Sequence, residues 1–207
     1  MNIKQYFCII LPFFIFGIAN SIIPKNQNNH GSPKILLPDK YAKLLSFGQN
    51  ELIGGALWIN LIQRSNTKKD NDIFEFNRAM YISNLSPYFY SNYKINSLTI
   101  SIVKDQFEQS NILIKKGLKY FSNDYELLFQ HGFNSFFLLD RKEEGIKYFD
   151  KIYHKNLYKG ENEYFPIIYS NVQKKIGHKE ISKKILYDLY QKTDDQKLKK
   201  ALLKKLR

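Results

Sequence analysis

Cysteine is almost absent from the chain. Cys8 is the only one, so no intrachain disulfide and no multi-thiolate metal site can form. Four histidines, His30, His131, His154 and His178, are scattered singly. None has a second His or a Glu one helical turn away, as a helical metal-ligand pair requires. Gly54-Gly55 is not followed by the Lys-Ser/Thr of a phosphate loop, and no G-x-S-x-G nucleophile elbow occurs. The paired carboxylates Glu143-Glu144 and Glu161/Glu163 lie in charge-rich turns and read as solvated. His131 falls on an apolar stripe and reads as a core histidine. No catalytic, cofactor-binding or metal-binding set emerges, and no small-molecule substrate is implied. The chain reads as non-catalytic.

Acidic residues are also scarce, 19 against 32 Lys and Arg, which leaves a net charge of +13. An excess of that size suits an acidic peptide or protein partner, anionic lipid, or nucleic acid. Lys, Asn, Ile, Tyr and Phe are abundant together, as an AT-rich coding sequence would also produce, so composition offers a second explanation for part of the charge.

One long apolar run exists. Tyr6 to Ala19 is uncharged, follows Lys4, and ends at Ala19-Asn20-Ser21, where small residues have cleavage-site spacing. Residues 1–21 therefore read as an export signal, an uncleaved membrane anchor, or a buried helix. The run is shorter than the roughly 20 residues of a membrane span and contains Pro12. No small residue precedes Cys8 in the way a lipoprotein signal needs. Residues 22–38, with Pro24, Asn26 to Asn29, Gly31, Pro33 and Pro38, have a linker composition. The expected location is outside the cytoplasm, in the periplasm or anchored to the inner membrane facing it. Nucleic acid is disfavoured there.

What is present in quantity is helical periodicity. Asp39 to Arg64 is expected to form two helices that break near Phe47-Gly48-Gln49-Asn50, with Gly54-Gly55-Ala56 allowing a close crossing. Trp58 reads as core or as a groove anchor. Ile73 to Leu85 follows, ended by Pro87. Tyr88 to Val103 would pack through Tyr93, Asn96, Ser97 and Ile100. In Tyr125 to Tyr153, Leu127, Leu128, His131, Gly132, Ser135 and Phe136 have helical spacing. Asp140 reads as the N-cap of a second helix, with Gly145, Phe149 and Ile152 on its stripe. Pro166 suits the first turn of the next helix, and Gly177-His178 a turn before Glu180 to Lys192.

The stripe recurs. Gly145, Phe149 and Ile152 have counterparts 35 positions earlier at Ser110, Ile114 and Gly117, and 37 later at Ser182, Leu186 and Leu189. A weaker copy is Glu75, Ala79 and Ile82. Helix–turn–helix units of about 34 residues mark tetratricopeptide repeats. Residues 72–193 resemble that family. At the first-helix positions W-x2-L-G-x2-Y stand Leu128, His131, Gly132 and Ser135, so only the glycine is kept. The second-helix A-x3-F is matched by Gly145 and Phe149, and more loosely by Ser110/Ile114 and Ser182/Leu186. Trp58, the step Leu85-Ser86-Pro87-Tyr88 and the closing Thr193-Asp194-Asp195 are similar to small exported or membrane-anchored repeat proteins of Gram-negative bacteria.

The resemblance implies an all-α protein, an α-solenoid of tetratricopeptide-like hairpins over 39–195. Three to four hairpins would form a right-handed arc closed by a basic amphipathic capping helix at 196–207, with Leu198, Ala201, Leu202 and Leu206 on its apolar side. It also implies a scaffold that binds a peptide or protein in a concave groove lined by the first helices. Tyr93, Asn96, Asn134 and Asn171 are the groove candidates expected to face out of the core. The alternative is a peripheral binder of anionic membrane through the lysine-rich C-terminal helix.

Overall fold

The computed structural model describes residues 39–46, 48–64 and 74–206. The proposed export segment, the linker, His30 and the loop at 65–72 lie outside the described residues. Those described are all-α, with ten α-helices, two π-helical turns and no strand among them. We number the helices α1 (Asp39–Leu45), α2 (Asn50–Arg64), α3 (Phe74–Leu85), α4 (Tyr90–Leu98), α5 (Phe107–Gly117), α6 (Tyr125–Phe133), α7 (Lys142–His154), α8 (Phe165–Lys175), α9 (Lys179–Lys192) and α10 (Gln196–Leu206). A π turn at Thr99–Val103 follows α4, and another at Asn134–Leu138 follows α6. The chain divides into two compact units, one ending at Thr99 and one running from Ile100.

In the first unit, α1 and α2 are separate helices because Gly48 adopts φ +83°, which breaks the helical path. α2 crosses the end of α3 where a Cβ on Gly54 would stand 3.0 Å from Ser86 Cβ. Only this glycine of the pair serves the crossing; Gly55 faces open space. Trp58 is half-buried and meets Phe89 edge-on at 5.3 Å, as part of the packing wall.

In the second unit, alternate helices run side by side in the same direction. Arg141 at the start of α7 forks onto Glu108 at the start of α5, 33 residues earlier. Beyond the other end of α5, Ser122 O accepts from Lys151 Nζ, 29 residues later. Likewise α6 and α8 start together, with Tyr125 and Phe165 ring centres 5.9 Å apart. They end together, with Lys175 Nζ 4.7 Å from the Phe137 ring centre.

The turns between helices repeat as well. Asp105, Asp140 and Gly177 all have positive φ, at 56°, 53° and 92°. Asp and Gly are residues that tolerate this region. Each is followed by a residue whose N–H donates back into the helix before it: Gln106 to Ile100 O at 3.0 Å, Arg141 to Ser135 O at 2.7 Å, His178 to Gln173 O at 3.0 Å. Asp140 is therefore not the N-cap expected from the sequence. Its left-handed backbone is what turns the chain, and Arg141 takes the cap position.

Small residues sit where α7 meets α6. A Cβ on Gly145 would lie 2.6 Å from Phe136 Cβ and 2.8 Å from Gly132 O. Ser182 plays the corresponding part in α9, its hydroxyl 2.8 Å from that of Ser170. Around these approaches, Leu128, Phe136, Phe149, Ile152, Phe165, Tyr169, Val172 and Ile185 form one core. α10 docks through Leu202, which is buried, and Leu198 and Leu206, which are partly buried; Ala201 is exposed.

The two kinds of helical glycine have opposite expected responses. Gly145→Ala should destabilise by about 1–3 kcal/mol, because backbone and Cβ atoms must move to admit the methyl. Gly55→Ala should stabilise by about 0.5–1 kcal/mol, since the methyl meets nothing and restricts the unfolded chain. Urea unfolding of both variants beside the wild type would measure each sign.

Candidate binding surface

The two π turns carry the most unusual chemistry in the second unit. A π turn holds one residue more than an α turn and is common at functional sites. Here each turn has a polar inside and an apolar outside. Inside, Ser101 donates to Asn134 Oδ1 at 3.0 Å. Asn134 Nδ2 donates to Ser110 Oγ at 3.1 Å and to Asn111 Oδ1 at 3.2 Å. Asn111 Nδ2 donates to Ser135 Oγ at 3.0 Å. Ser135 Oγ lies 3.2 Å from His131 Nδ1. All six of these side chains are buried. Together they tie both π turns to α5.

His131 ends the chain of bonds. Ser135 accepts from Asn111, and its hydroxyl can still either donate to His131 Nδ1 or accept from it, according to the imidazole tautomer. Nε2 has no hydrogen-bond partner and faces Glu144 Oε1 at 4.0 Å. Tyr148 stacks on the ring at 4.0 Å. Burial, reinforced by the Lys115 charge, pushes the His131 pKa down to about 4. Glu144 is half-buried and takes 2.7 Å from Lys115 Nζ, which lowers its pKa. It is thus part of an interhelical ion pair rather than of a wholly solvated turn. Ser135, His131 and Glu144 have the order of a nucleophile, base and acid. Ser135 and His131 are sealed from solvent, however, and a substrate could reach this serine only by opening the hairpin.

The outer side of the same turns is apolar and exposed. Ile102 is 68% exposed, Val103 47%, Phe133 39%, Phe137 37% and Leu138 40%. The Ser101–Asn134 bond shows that the turns adjoin, so both present exposed apolar side chains in neighbouring segments. An exposed apolar patch is a candidate interaction surface. Phe133 and Phe137 are 5.0 Å apart and continue a ladder from Tyr125 through Phe129. Lys175 Nζ lies over Phe137, and Asn171 is exposed one turn earlier on α8.

Of the groove residues expected from the sequence, only Asn171 faces solvent. Tyr93, Asn96 and Asn134 are buried and are corrected to packing residues. Tyr93 donates to Pro87 O at 3.0 Å, and Asn96 to Asn92 Oδ1 at 2.7 Å. The physical reason is helix phase: the polar stripe of α4 and α6 faces inward, where asparagines satisfy one another. The packing side read for Tyr93, Asn96, Ser97 and Ile100 is the one observed. The π insertion turns the following residues outward, which put Ile102, Val103, Phe137 and Leu138 beyond the reach of a regular helical period.

Charge is unevenly placed. Residues 100–173 hold ten basic and ten acidic side chains, whereas 174–207 hold twelve basic and four acidic. Lys179, Lys183, Lys184, Lys192, Lys197, Lys200, Lys204 and Lys205 are all exposed on α9 and α10. Among the described residues no group of three His, Cys, Asp or Glu is placed to hold a metal, and no helix is long and apolar enough to cross a membrane.

Two measurements follow from the buried network. The folded pKa of His131 lies below its unfolded value, so the unfolded chain takes up the proton first. The stability tied to neutral His131 is complete above about pH 6.5 and is lost as pH falls toward about 4, by at most about 3 kcal/mol. Melting temperature between about pH 7 and 5 should fall in the wild type and fall less in His131→Gln. Asn134→Ala strands three buried partners on two segments, Ser101 on the turn after α4 and Ser110 and Asn111 on α5, and should cost at least about 2 kcal/mol in urea unfolding.

No protein-family model matches the sequence, and no curated protein matches it.

Proposed function

We propose that this chain is a tetratricopeptide-like helical-repeat scaffold that binds a peptide or protein partner on the exposed face of its first helices, and that it works exported or tethered to a membrane. Parallel alternate helices with offsets near 33 residues, and the same left-handed turn after α4, α6 and α8, support a stacked-hairpin solenoid. The observation that carries the binding role is the apolar stripe Ile102, Val103, Phe133, Phe137, Leu138. These side chains are held outward by π turns whose inner sides are fully engaged in hydrogen bonds. The export reading rests on the 1–21 segment alone.

The uneven charge favours a second reading, contact with an anionic membrane through α9 and α10. Leu202 is already buried against the protein, so α10 would lie on head groups through its lysines rather than insert.

A pull-down from membrane and soluble fractions, with the full chain as bait, separates the two. A scaffold should retain a protein partner at moderate salt, and Ile102→Ser, at a side chain 68% exposed, should weaken that retention while keeping the wild-type melting temperature. Retention of anionic lipid alone, stripped by salt and by Lys→Gln changes at 197, 200, 204 and 205, would replace the scaffold reading with the membrane one. Cell fractionation with intact-mass measurement tests location; a full-length chain confined to the cytosol would overturn export.

A further inference from the structure

We infer that the segment docking on the π-turn surface is an extended acidic peptide, with aliphatic or aromatic side chains spaced between carboxylates. This rests on the scaffold reading and names the chemistry of its ligand.

Three observations lead there. The surface itself offers apolar contacts at Ile102, Val103, Phe137 and Leu138, so an occupant must bring apolar side chains to displace water from them. Every buried polar group of the two turns that could have reached outward is turned inward, from Ser101 to Ser135. Recognition of a ligand's charge must therefore come from the edge. At the α8 edge that charge is positive: Lys175 lies over the Phe137 ring, with Lys174 exposed beside it. An ammonium held over an aromatic face keeps donors free for a carboxylate while its stem adds to the apolar surface. From this edge the chain continues into the segment with twelve basic and four acidic residues, which would attract further carboxylates and speed their encounter. The opposite rim is mixed. Asp140 pairs with Lys142 at 3.2 Å, so a ligand's negative end is oriented toward α8 and its apolar part toward the turns. Asn171, exposed on α8, can donate to and accept from an extended backbone.

The test is selection of a displayed random-dodecapeptide library on the immobilised full-length chain. An enriched peptide is then measured by fluorescence polarisation against variants. The expected result is enrichment in Asp and Glu together with Leu, Phe or Trp. Affinity should fall about tenfold or more with Ile102→Ser. It should also fall with Lys175→Glu, and a version of the peptide with Lys in place of its acids should recover binding to Lys175→Glu. Both variants change exposed side chains, and circular dichroism melting checks that they fold. Enriched apolar peptides without acidic excess, bound equally by Lys175→Glu, would overturn the acidic ligand while leaving a peptide-binding surface in place. Absence of any enrichment sensitive to Ile102→Ser would overturn the peptide-binding reading itself. A dimer in sedimentation that dissociates with Ile102→Ser would assign the surface to a second copy of the chain and overturn the proposal.

Discussion

Asn134 is the point on which the second unit depends. Its carboxamide receives one hydrogen bond and gives two, joining the turn after α4, its own turn after α6, and helix α5. A buried amide is tolerated only with its partners in place, so the network fixes the register of three segments at once. The close approach at Gly132 and Gly145, beside Phe136 and Phe149 in the core, holds α6 and α7 in the same register.

The exposed apolar face goes with the same constraint. To place Ser101, Asn134 and Ser135 inward, the helix ends widen into π turns, and the residues that follow must leave the core. Those residues are Ile102 and Val103 in one turn and Phe137 and Leu138 in the other. Satisfying the interior thus produces an exposed apolar face without a separate loop. His131 is the buried end of the network, held neutral by burial, with Nε2 4.0 Å from Glu144 Oε1. The ion pair of Glu144 with Lys115 closes that end against water.

Charge separates into two regions with different consequences. The stretch that carries the network and the apolar face is balanced, so its helices pack without net repulsion. The C-terminal stretch is strongly basic, with its lysines on the wet side of α9 and α10 and its leucines docked. Residues 1–99 add ten basic and five acidic side chains, so part of the excess is spread along the chain and the larger part lies after position 173.

Helix positions, most turns and the core stripe were legible in the residues themselves. Gly145, Phe149 and Ile152, with their counterparts at Ser110 and Ser182, recur at a spacing near 35 residues on buried helix faces, and Pro166 and Gly177 mark ends by their own backbone chemistry. The break at Gly48 was legible for the same reason. The binding residues were not. Tyr93, Asn96 and Asn134 carry polar groups that suggest surface, yet each is buried and satisfied, Tyr93 on Pro87 O, Asn96 on Asn92 one turn back, and Asn134 on Ser101, Ser110 and Asn111. Each π turn inserts one residue, which puts Ile102, Val103, Phe137 and Leu138 out of phase with a regular helical period. Amino-acid order settles which residues repeat, because a period is local information. That Asn134 lies inside was decided only by the tertiary structure, because its partners Ser101, Ser110 and Asn111 lie 33, 24 and 23 residues away along the chain.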